Sequence, residues 1–172
     1  MNACETKQLL VVWHSRTGTA RQMAEAAVQG ALAVLEELGA TEHVRVTSLQ
    51  AAEATADHLL QSDAFVFAAP ENLASLSGEM KEFFDRNYYP VLDRLNGRPY
   101  GLLVAAGSDG AGAVAQAERI ATGWRLRCAL PPVVVNTSAQ TPEAILAQKP
   151  PLADADLEAC RTTGGTLAAL LA

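Results

Sequence analysis

The sequence has few cysteines, no excess of basic residues and no long apolar run, and each shortage excludes a class of protein. Its three cysteines, Cys4, Cys128 and Cys160, are far apart, which fits neither a zinc site nor a disulfide framework and favours a reducing cytoplasm. A formal net charge of −6 argues against nucleic-acid binding, which requires a basic surface. No apolar run approaches the roughly 20 residues of a membrane-spanning helix, so we expect no membrane segment. Residues 1–7 lack a basic segment followed by a long apolar region, so no signal peptide is predicted.

The sequence also lacks the motifs of several common enzymes. It contains no G-x4-G-K-[ST] run, which excludes a P-loop NTPase, and no G-x-S-x-G elbow of a serine hydrolase. A phosphoacceptor receiver domain would need acidic residues after the first strand, where this chain has Trp13, His14 and Ser15. The sequence therefore assigns no catalytic residue and no metal ligand.

Apolar segments alternate with helical patterns along all 172 residues, without a linker or an internal repeat. The composition, 49% hydrophobic and 19% charged, is typical of one globular domain covering residues 1–172. Strands are predicted at residues 7–13, 42–49, 64–69, 100–106 and 132–136. Helices are predicted at residues 18–38, 51–61, 77–89, 112 to about 127, and 154–171 with Asp154 as its cap, and one helical turn is predicted after residue 142.

This alternation predicts an α/β three-layer sandwich, in which helices cover both faces of a five-stranded parallel sheet. Residues 7–13 and 64–69 are almost continuously apolar, as in strands that are buried on both faces. In the second strand Val44 and Val46 alternate with polar residues, which indicates a half-exposed strand at a sheet edge. The pattern therefore predicts the strand order 2-1-3-4-5.

The loop after the first strand has the composition of a phosphate site. In such a sheet, ligands bind beyond the carboxyl ends of the strands, near the point where the strand order reverses. This loop carries hydroxyls at Ser15, Thr17 and Thr19 around Gly18. Hydroxyls and unpaired N–H groups at a helix N-terminus can hold a phosphate dianion, and glycine lets the backbone come close. An ordinary strand-to-helix turn with a hydroxyl cap is the alternative.

Two segments resemble those of flavoproteins. Ser15-x-Thr17-Gly18 is close to the phosphate-binding pattern of flavodoxins, with Ala20 in place of the final threonine. Residues 70–85 align without gaps to the segment after strand three in the WrbA-like branch of NAD(P)H-dependent flavoproteins. The matching positions are Gly78, Met80, Lys81, Phe83 and Asp85. The chain is therefore similar to the flavodoxin-like family, and the resemblance implies FMN as cofactor and a flavodoxin-like fold.

The loop after the third strand departs from the WrbA-like pattern. That family carries an aromatic residue and a Gly-Asn pair here, and backbone groups of its loop hydrogen-bond the edge of the isoalloxazine ring. In this chain residues 73–75 are Leu, Ala and Ser, and Ala74 would be strained if its φ is positive. Asp109 stands near the place of a histidine in the family. The alternative interpretation of the loop is a structural connection between strand and helix.

Residues 107–112 follow the fourth strand and form the third predicted wall of the site. Three glycines within six residues indicate a backbone that passes close to a flat ligand, and a flexible loop is the alternative. The residues predicted to bind FMN are Ser15, Arg16, Thr17, Gly18, Thr19, Ala20, Pro70, Glu71, Asn72, Leu73, Ala74, Ser75, Gly107, Ser108, Asp109, Gly110 and Gly112.

Side chains around this site are assigned to its rim, to packing or to association. His14 and Arg16 are expected to face solvent at the rim. Packing is the expected role of Tyr88 and Tyr89, with the edge of a substrate pocket or a subunit contact as the alternative. The resembling reductases form dimers or tetramers, which implies a homodimer or homotetramer that associates through the flavin face. Residues 88–90 and 137–153 are its expected contacts.

The resemblance implies an enzyme that takes hydride from NAD(P)H onto FMN and passes electrons to a quinone or a similar small-molecule acceptor. The loops at 70–76 and 107–112 contain no Trp, Tyr or Phe, so one face of the flavin ring is expected to stay open to nicotinamide. This absence favours the enzyme over a flavodoxin-type electron carrier, which usually sandwiches the ring between aromatics. A flavodoxin-like module that no longer binds FMN is the third possibility, because of residues 73–75.

Overall fold

A computed structural model describes residues 6–172 of the chain, so Cys4 lies outside the described residues. The described residues form seven strands: β1 (Lys7–Trp13), β2 (Val44–Gln50), β3 (Ala64–Asn72), β4 (Ser75–Leu76), β5 (Pro99–Ala106), β6 (Arg127–Cys128) and β7 (Val133–Asn136). They also form six helices: α1 (Thr19–Glu37), α2 (Ala56–Leu60), α3 (Gly78–Tyr88), α4 (Ala111–Gly123), α5 (Pro142–Leu146) and α6 (Asp154–Ala169). No helix in this part of the chain is both long and apolar enough to cross a membrane.

The sheet has the predicted parallel order, with one break at its edge. β2, β1, β3 and β5 lie side by side and run parallel. β6 and β7 both pair in parallel with β5, and β7 corresponds to the fifth predicted strand, whereas β6 was not predicted. The α/β three-layer sandwich and the order 2-1-3-4-5 are therefore confirmed with β7 as the fifth strand, but the predicted count of five strands was too low, because the short β4 and β6 also belong to the sheet. The short β4 turns back and pairs antiparallel with the end of β3.

Alternation along the strands divides the core into two layers. Leu9 and Val11 of β1 face α1 and α6, whereas Leu10 and Val12 face the opposite side, where α3 and α4 pack. All four side chains are fully buried, as expected for a central parallel strand that is covered on both faces. Trp124 is also fully buried, and its indole N–H donates to the carbonyl oxygen of Tyr88 at 3.1 Å. The packing role expected for Tyr88 is thus confirmed, since its ring stacks on Trp124.

Several predicted boundaries were wrong. The helix predicted at 51–61 is shortened to α2, because Thr55 is extended and forms a capping box with His58. The helix predicted to about residue 127 ends at Gly123, since Arg125 takes a left-handed φ of 57°. Asp154 is not the cap of α6: Ala153 is the N-cap residue, Asp154 is the first helical residue, and the helix ends at Ala169 rather than at residue 171. The third strand continues beyond residue 69 to Asn72, where β4 pairs with it.

Candidate functional site

A cleft opens at the carboxyl ends of β1, β3 and β5, as the strand order predicts. All three predicted loops contribute to it, and so does a fourth segment that was not predicted as part of the site. The lining residues are Ser15, Arg16, Thr17, Thr19, Ala20, Pro70, Glu71, Asn72, Ala105, Ala106, Gly107, Thr137, Ala139, Ile145 and Lys149. No aromatic residue is among these lining residues, which all belong to the described part of the chain.

The first loop forms an open helix N-terminus at one end of the cleft. Gly18 is the N-cap of α1 with a left-handed φ of 98°, and its N–H donates to the Ser15 hydroxyl oxygen at 3.0 Å. The first N–H groups of any helix lack intrahelical acceptors, so those of Thr19 and Ala20 point out of the helix end. Thr19 is 3% exposed, and its buried hydroxyl has no hydrogen-bond partner among residues 6–172. A buried hydroxyl without a partner is costly, so this one is suited to an anionic ligand.

The second wall is a hairpin, which we call the β3–β4 hairpin (residues 70–77). Its tip is formed by Leu73 and Ala74, with φ values of 52° and 60°. The predicted strain at Ala74 is confirmed, because two consecutive positive φ angles form a turn that normally carries Asn-Gly. The Leu73 side chain is fully exposed, at 101% of its reference area. The turn therefore holds an exposed leucine in a conformation that its own residue type disfavours.

Glu71 connects this hairpin to the third wall. One carboxylate oxygen accepts the Gly110 N–H at 3.0 Å, and the other accepts the Ala113 N–H at 3.0 Å. Both N–H groups belong to the start of α4, so Glu71 acts as a helix cap that is supplied from a distant strand. The Leu76 N–H donates to the Gln116 side-chain oxygen at 2.8 Å and provides a second tie. Although Glu71 lines the cleft, its carboxylate oxygens are used for capping.

The third loop differs from its predicted arrangement. Gly107 lines the cleft, but Gly110 and Gly112 pack closely against protein atoms instead. A Cβ at Gly110 would lie 2.7 Å from a methyl group of Val134, and a Cβ at Gly112 would overlap the carbonyl oxygen of Ala74. These two glycines allow close packing around α4. Contact of Ser108, Asp109, Gly110 and Gly112 with a ligand stays a prediction.

His14 does not face solvent, contrary to the prediction. Its side chain is 18% exposed, and its Nδ1 lies 2.9 Å from the hydroxyl oxygen of Ser77, at the N-terminus of α3. Burial lowers the pKa of His14, and Arg16 lowers it further, against the opposing effect of Glu79. The residue thus joins the first loop to α3 as a mainly neutral imidazole. Arg16 is exposed and lines the cleft, so its predicted position at the rim is confirmed.

The segment at 137–153 folds against the first loop, and its predicted role in association stays a prediction. The Lys149 N–H donates to the Thr17 carbonyl oxygen at 2.8 Å. The Gln22 side chain bonds both the Pro150 carbonyl oxygen at 3.1 Å and the Leu152 N–H at 2.9 Å. No local sequence signal predicts these contacts, because they join residues about 130 positions apart.

Comparison with known proteins supports the interpretation of the cleft. Residues 14–141 match the sequence profile of the family described as NADPH-dependent FMN reductase. A flavodoxin of Aquifex aeolicus is 34% identical over 105 residues, which cover 61% of this chain and 51% of that protein. An NAD(P)H dehydrogenase (quinone) of Geotalea daltonii is 32% identical over 96 residues, which cover 45% of this chain and 46% of that protein. The chain thus spans about half the length of the curated relatives it matches. The resemblance predicted from the sequence is confirmed.

Solved structures agree with the fold. A flavodoxin from the domain Archaea superposes with a TM-score of 0.73 at 17% identity, covering 95% of this chain and 98% of the other. A WrbA-like flavodoxin from Agrobacterium tumefaciens gives a TM-score of 0.69 at 18% identity, covering 96% of this chain and 98% of the other. At such identities the likeness shows a flavodoxin-like fold and nothing about activity.

Proposed function

This chain belongs to the family of NADPH-dependent FMN reductases, and we propose from this premise that it transfers electrons from NAD(P)H, through FMN, to a quinone or a similar small-molecule acceptor. The observation that carries the proposal is the buried, unpartnered hydroxyl of Thr19 at an open helix N-terminus, inside the cleft of a flavodoxin-like fold. An NAD(P)H dehydrogenase (quinone) among its relatives supports the class of acceptor.

The residues present fit FMN at the phosphate end. Ser15, Thr17 and Thr19 supply neutral hydroxyl donors, and the first N–H groups of α1 add the positive end of the helix dipole. In this proposal the Thr19 hydroxyl gains the partner that it lacks in the protein alone. Arg16 and Lys149 line the cleft and complement an anion. The binding roles of all predicted site residues remain part of this proposal.

At the ring end, the β3–β4 hairpin and Gly107 would flank the isoalloxazine. Bound FMN supplies the chemistry of accepting a hydride and returning electrons. The protein contributes backbone groups of residues 71–75 and a lining without aromatic side chains, which leaves one face accessible to nicotinamide and then to the acceptor. Glu71 keeps this wall in place through α4 rather than by contact with the reacting atoms.

The test combines a binding measurement with an anaerobic assay. The purified protein is expected to bind FMN in titration, and the loaded protein is expected to lose its flavin absorbance band upon addition of NADPH or NADH. Addition of a quinone should then restore the band. A protein that binds FMN and is reduced by dithionite but by neither nicotinamide would contradict the enzymatic proposal.

An electron carrier of the flavodoxin class is the second candidate, and the similarity to the Aquifex flavodoxin favours it. Carriers usually cover both ring faces with aromatic side chains, whereas the described lining of this cleft contains none. The anaerobic assay separates the two candidates, because a carrier accepts electrons from a partner protein and not directly from nicotinamide. A chain that binds no FMN at all would favour the third possibility, a module that has lost its cofactor.

Association into a homodimer or homotetramer through the cleft face is also part of the proposal. Tyr89 is 79% exposed, and Ile145 and Leu146 of α5 are 48% and 58% exposed beside the cleft. Burial of these side chains between subunits would remove apolar area from water. Light scattering over a concentration series tests this, and a strict monomer with FMN bound would contradict it.

A further inference from the structure

The segment that follows β7 lies over the loop that is proposed to hold the FMN phosphate. We call residues 137–153 the strap. Its main chain is tied to the loop by the bond from the Lys149 N–H to the Thr17 carbonyl oxygen, at 2.8 Å. The Gln148 side chain donates to the Arg16 carbonyl oxygen at 3.5 Å, and Gln22 of α1 holds the strap beyond residue 149. The position of Lys149 relative to the loop is therefore fixed by its own backbone.

The ammonium group of Lys149 is also held in place. It donates to the carbonyl oxygens of Ala144, Ile145 and Ala147, at the end of α5. The side chain is half-buried and lines the same cleft as Thr17 and Thr19. Three carbonyl acceptors neutralise none of its formal charge, so a full positive charge is kept at this side of the cleft.

Lys149 differs from the other charged residues that line the cleft. Arg16 is the other cation among the described residues that line the cleft, and it is exposed at the rim, where solvent screens it. Glu71 is the acidic lining residue, but its carboxylate is directed to the N-terminus of α4. Apart from Arg16, the loop itself offers only neutral donors. A half-buried ammonium therefore provides the strongest fixed charge available to an anion there.

We propose that Lys149, positioned by the strap, gives the flavin site its preference for a phosphorylated flavin over riboflavin. The inference rests on the proposed function. Riboflavin has the same ring and ribityl chain but no phosphate, so the charge of Lys149 adds nothing to its binding. The neutral donors of the loop orient the phosphate, and Lys149 supplies the long-range attraction that they lack.

The experiment compares the dissociation constants of FMN and riboflavin for flavin-free protein, measured by quenching of flavin fluorescence. Lys149→Met, which keeps length and removes charge, is expected to weaken FMN binding about fivefold, the size of one attraction between unit charges in a largely aqueous cleft. Riboflavin affinity should stay unchanged, and FMN binding should lose part of its dependence on salt. Lys149→Arg should keep most of the preference. Lys81→Met is the matched control, because Lys81 forms an exposed ion pair with Asp85 on α3.

Each other outcome overturns the inference in a recognisable way. Unchanged dissociation constants of both FMN and riboflavin in Lys149→Met would show that the charge has no role. Equal weakening of both flavins would assign Lys149 a structural role in the strap. Both of these outcomes leave FMN binding by the unmodified protein, and so the proposed function, intact. Failure of the unmodified protein to bind FMN would overturn the proposed function together with this inference.

Discussion

Replacement of Glu71 by glutamine tests how the two walls of the cleft are joined. The carboxylate accepts one N–H from Gly110 and one from Ala113, both at 3.0 Å. Glutamine has nearly the same shape, but its side chain offers one oxygen and one NH₂ group. The variant therefore keeps one of the two bonds, turns a donor toward the other N–H, and removes the negative charge from the positive end of α4.

The magnitude follows from those two losses. Removal of a capping acceptor costs about 1 kcal/mol, within a range of roughly 0.5–2 kcal/mol. Loss of a favourable charge at a helix N-terminus costs about 0.3–1 kcal/mol. We therefore expect Glu71→Gln to lower the free energy of unfolding by about 1–2 kcal/mol. For a chain of this size, that corresponds to a fall in Tm of about 2–8 °C.

Urea denaturation and thermal scans of the flavin-free protein measure this difference without a contribution from ligand binding. Glu25→Gln is the control, because Glu25 pairs with Arg21 at 3.6 Å, with both side chains more than half exposed. The control should lie within about 0.5 kcal/mol of the unmodified protein. If Glu71→Gln is no less stable than Glu25→Gln, then the carboxylate does not act as the cap of α4 and the reasoning fails.

Three further predictions concern single substitutions, two tested by denaturation and one by titration with FMN. Ala74→Gly should stabilise the protein by up to about 1 kcal/mol, because it relieves a φ of 60°, whereas the same change at the exposed helical Ala33 should cost about 1 kcal/mol. Equal effects at the two positions would contradict this. Gly18→Val should abolish FMN binding in a folded domain, because a β-branched residue resists the φ of 98° at the helix start, and isothermal titration with FMN checks it. Unchanged affinity would show that the phosphate does not bind at this loop. Burial lowers the pKa of His14, so the unfolded chain binds a proton more readily and stability should fall as the pH decreases below about 6.5. His14→Asn should remove that part of the slope between about pH 7 and pH 5, as measured by urea denaturation, and an unchanged slope would contradict it.

The helices and strands that follow a hydrophobic periodicity could be predicted, but the hydrogen bonds between them could not. The apolar run of β1 and the alternation in β2 predict the central and edge strands, because burial on one or two faces dictates the side-chain pattern directly. The boundaries of α2 and α4 depend on single residues, Thr55 and Arg125, whose backbone conformations override a helical pattern. Single residues of this kind hardly change the hydrophobic periodicity.

In the candidate site, too, the local patterns could be predicted and the long-range contacts could not. The hydroxyls around Gly18 and the loop after β3 were recognisable, since a phosphate and a flat ring require particular local chemistry. The capping of α4 by Glu71 and the bond from Lys149 to Thr17 join segments about 40 and 130 positions apart. A side chain placed by such long-range contacts has no characteristic neighbours in the sequence. The capping role of Glu71 and the place of Lys149 at the cleft were accordingly not predicted, and cofactor binding by Glu71 stays a prediction.

The contacts around the β3–β4 hairpin explain how its strained tip is tolerated. Leu73 and Ala74 lie in the left-handed region at a cost of about 1–2 kcal/mol each, and the exposed Leu73 side chain gains no burial in return. Glu71 on one side of the tip and Leu76 on the other are each tied to α4 by hydrogen bonds. These ties determine where the two strands of the hairpin run, so the turn must adopt the geometry that joins them. The backbone groups that are proposed to flank the flavin ring are therefore positioned by α4, and substitutions at its first turn should alter the cleft as directly as substitutions in the hairpin itself.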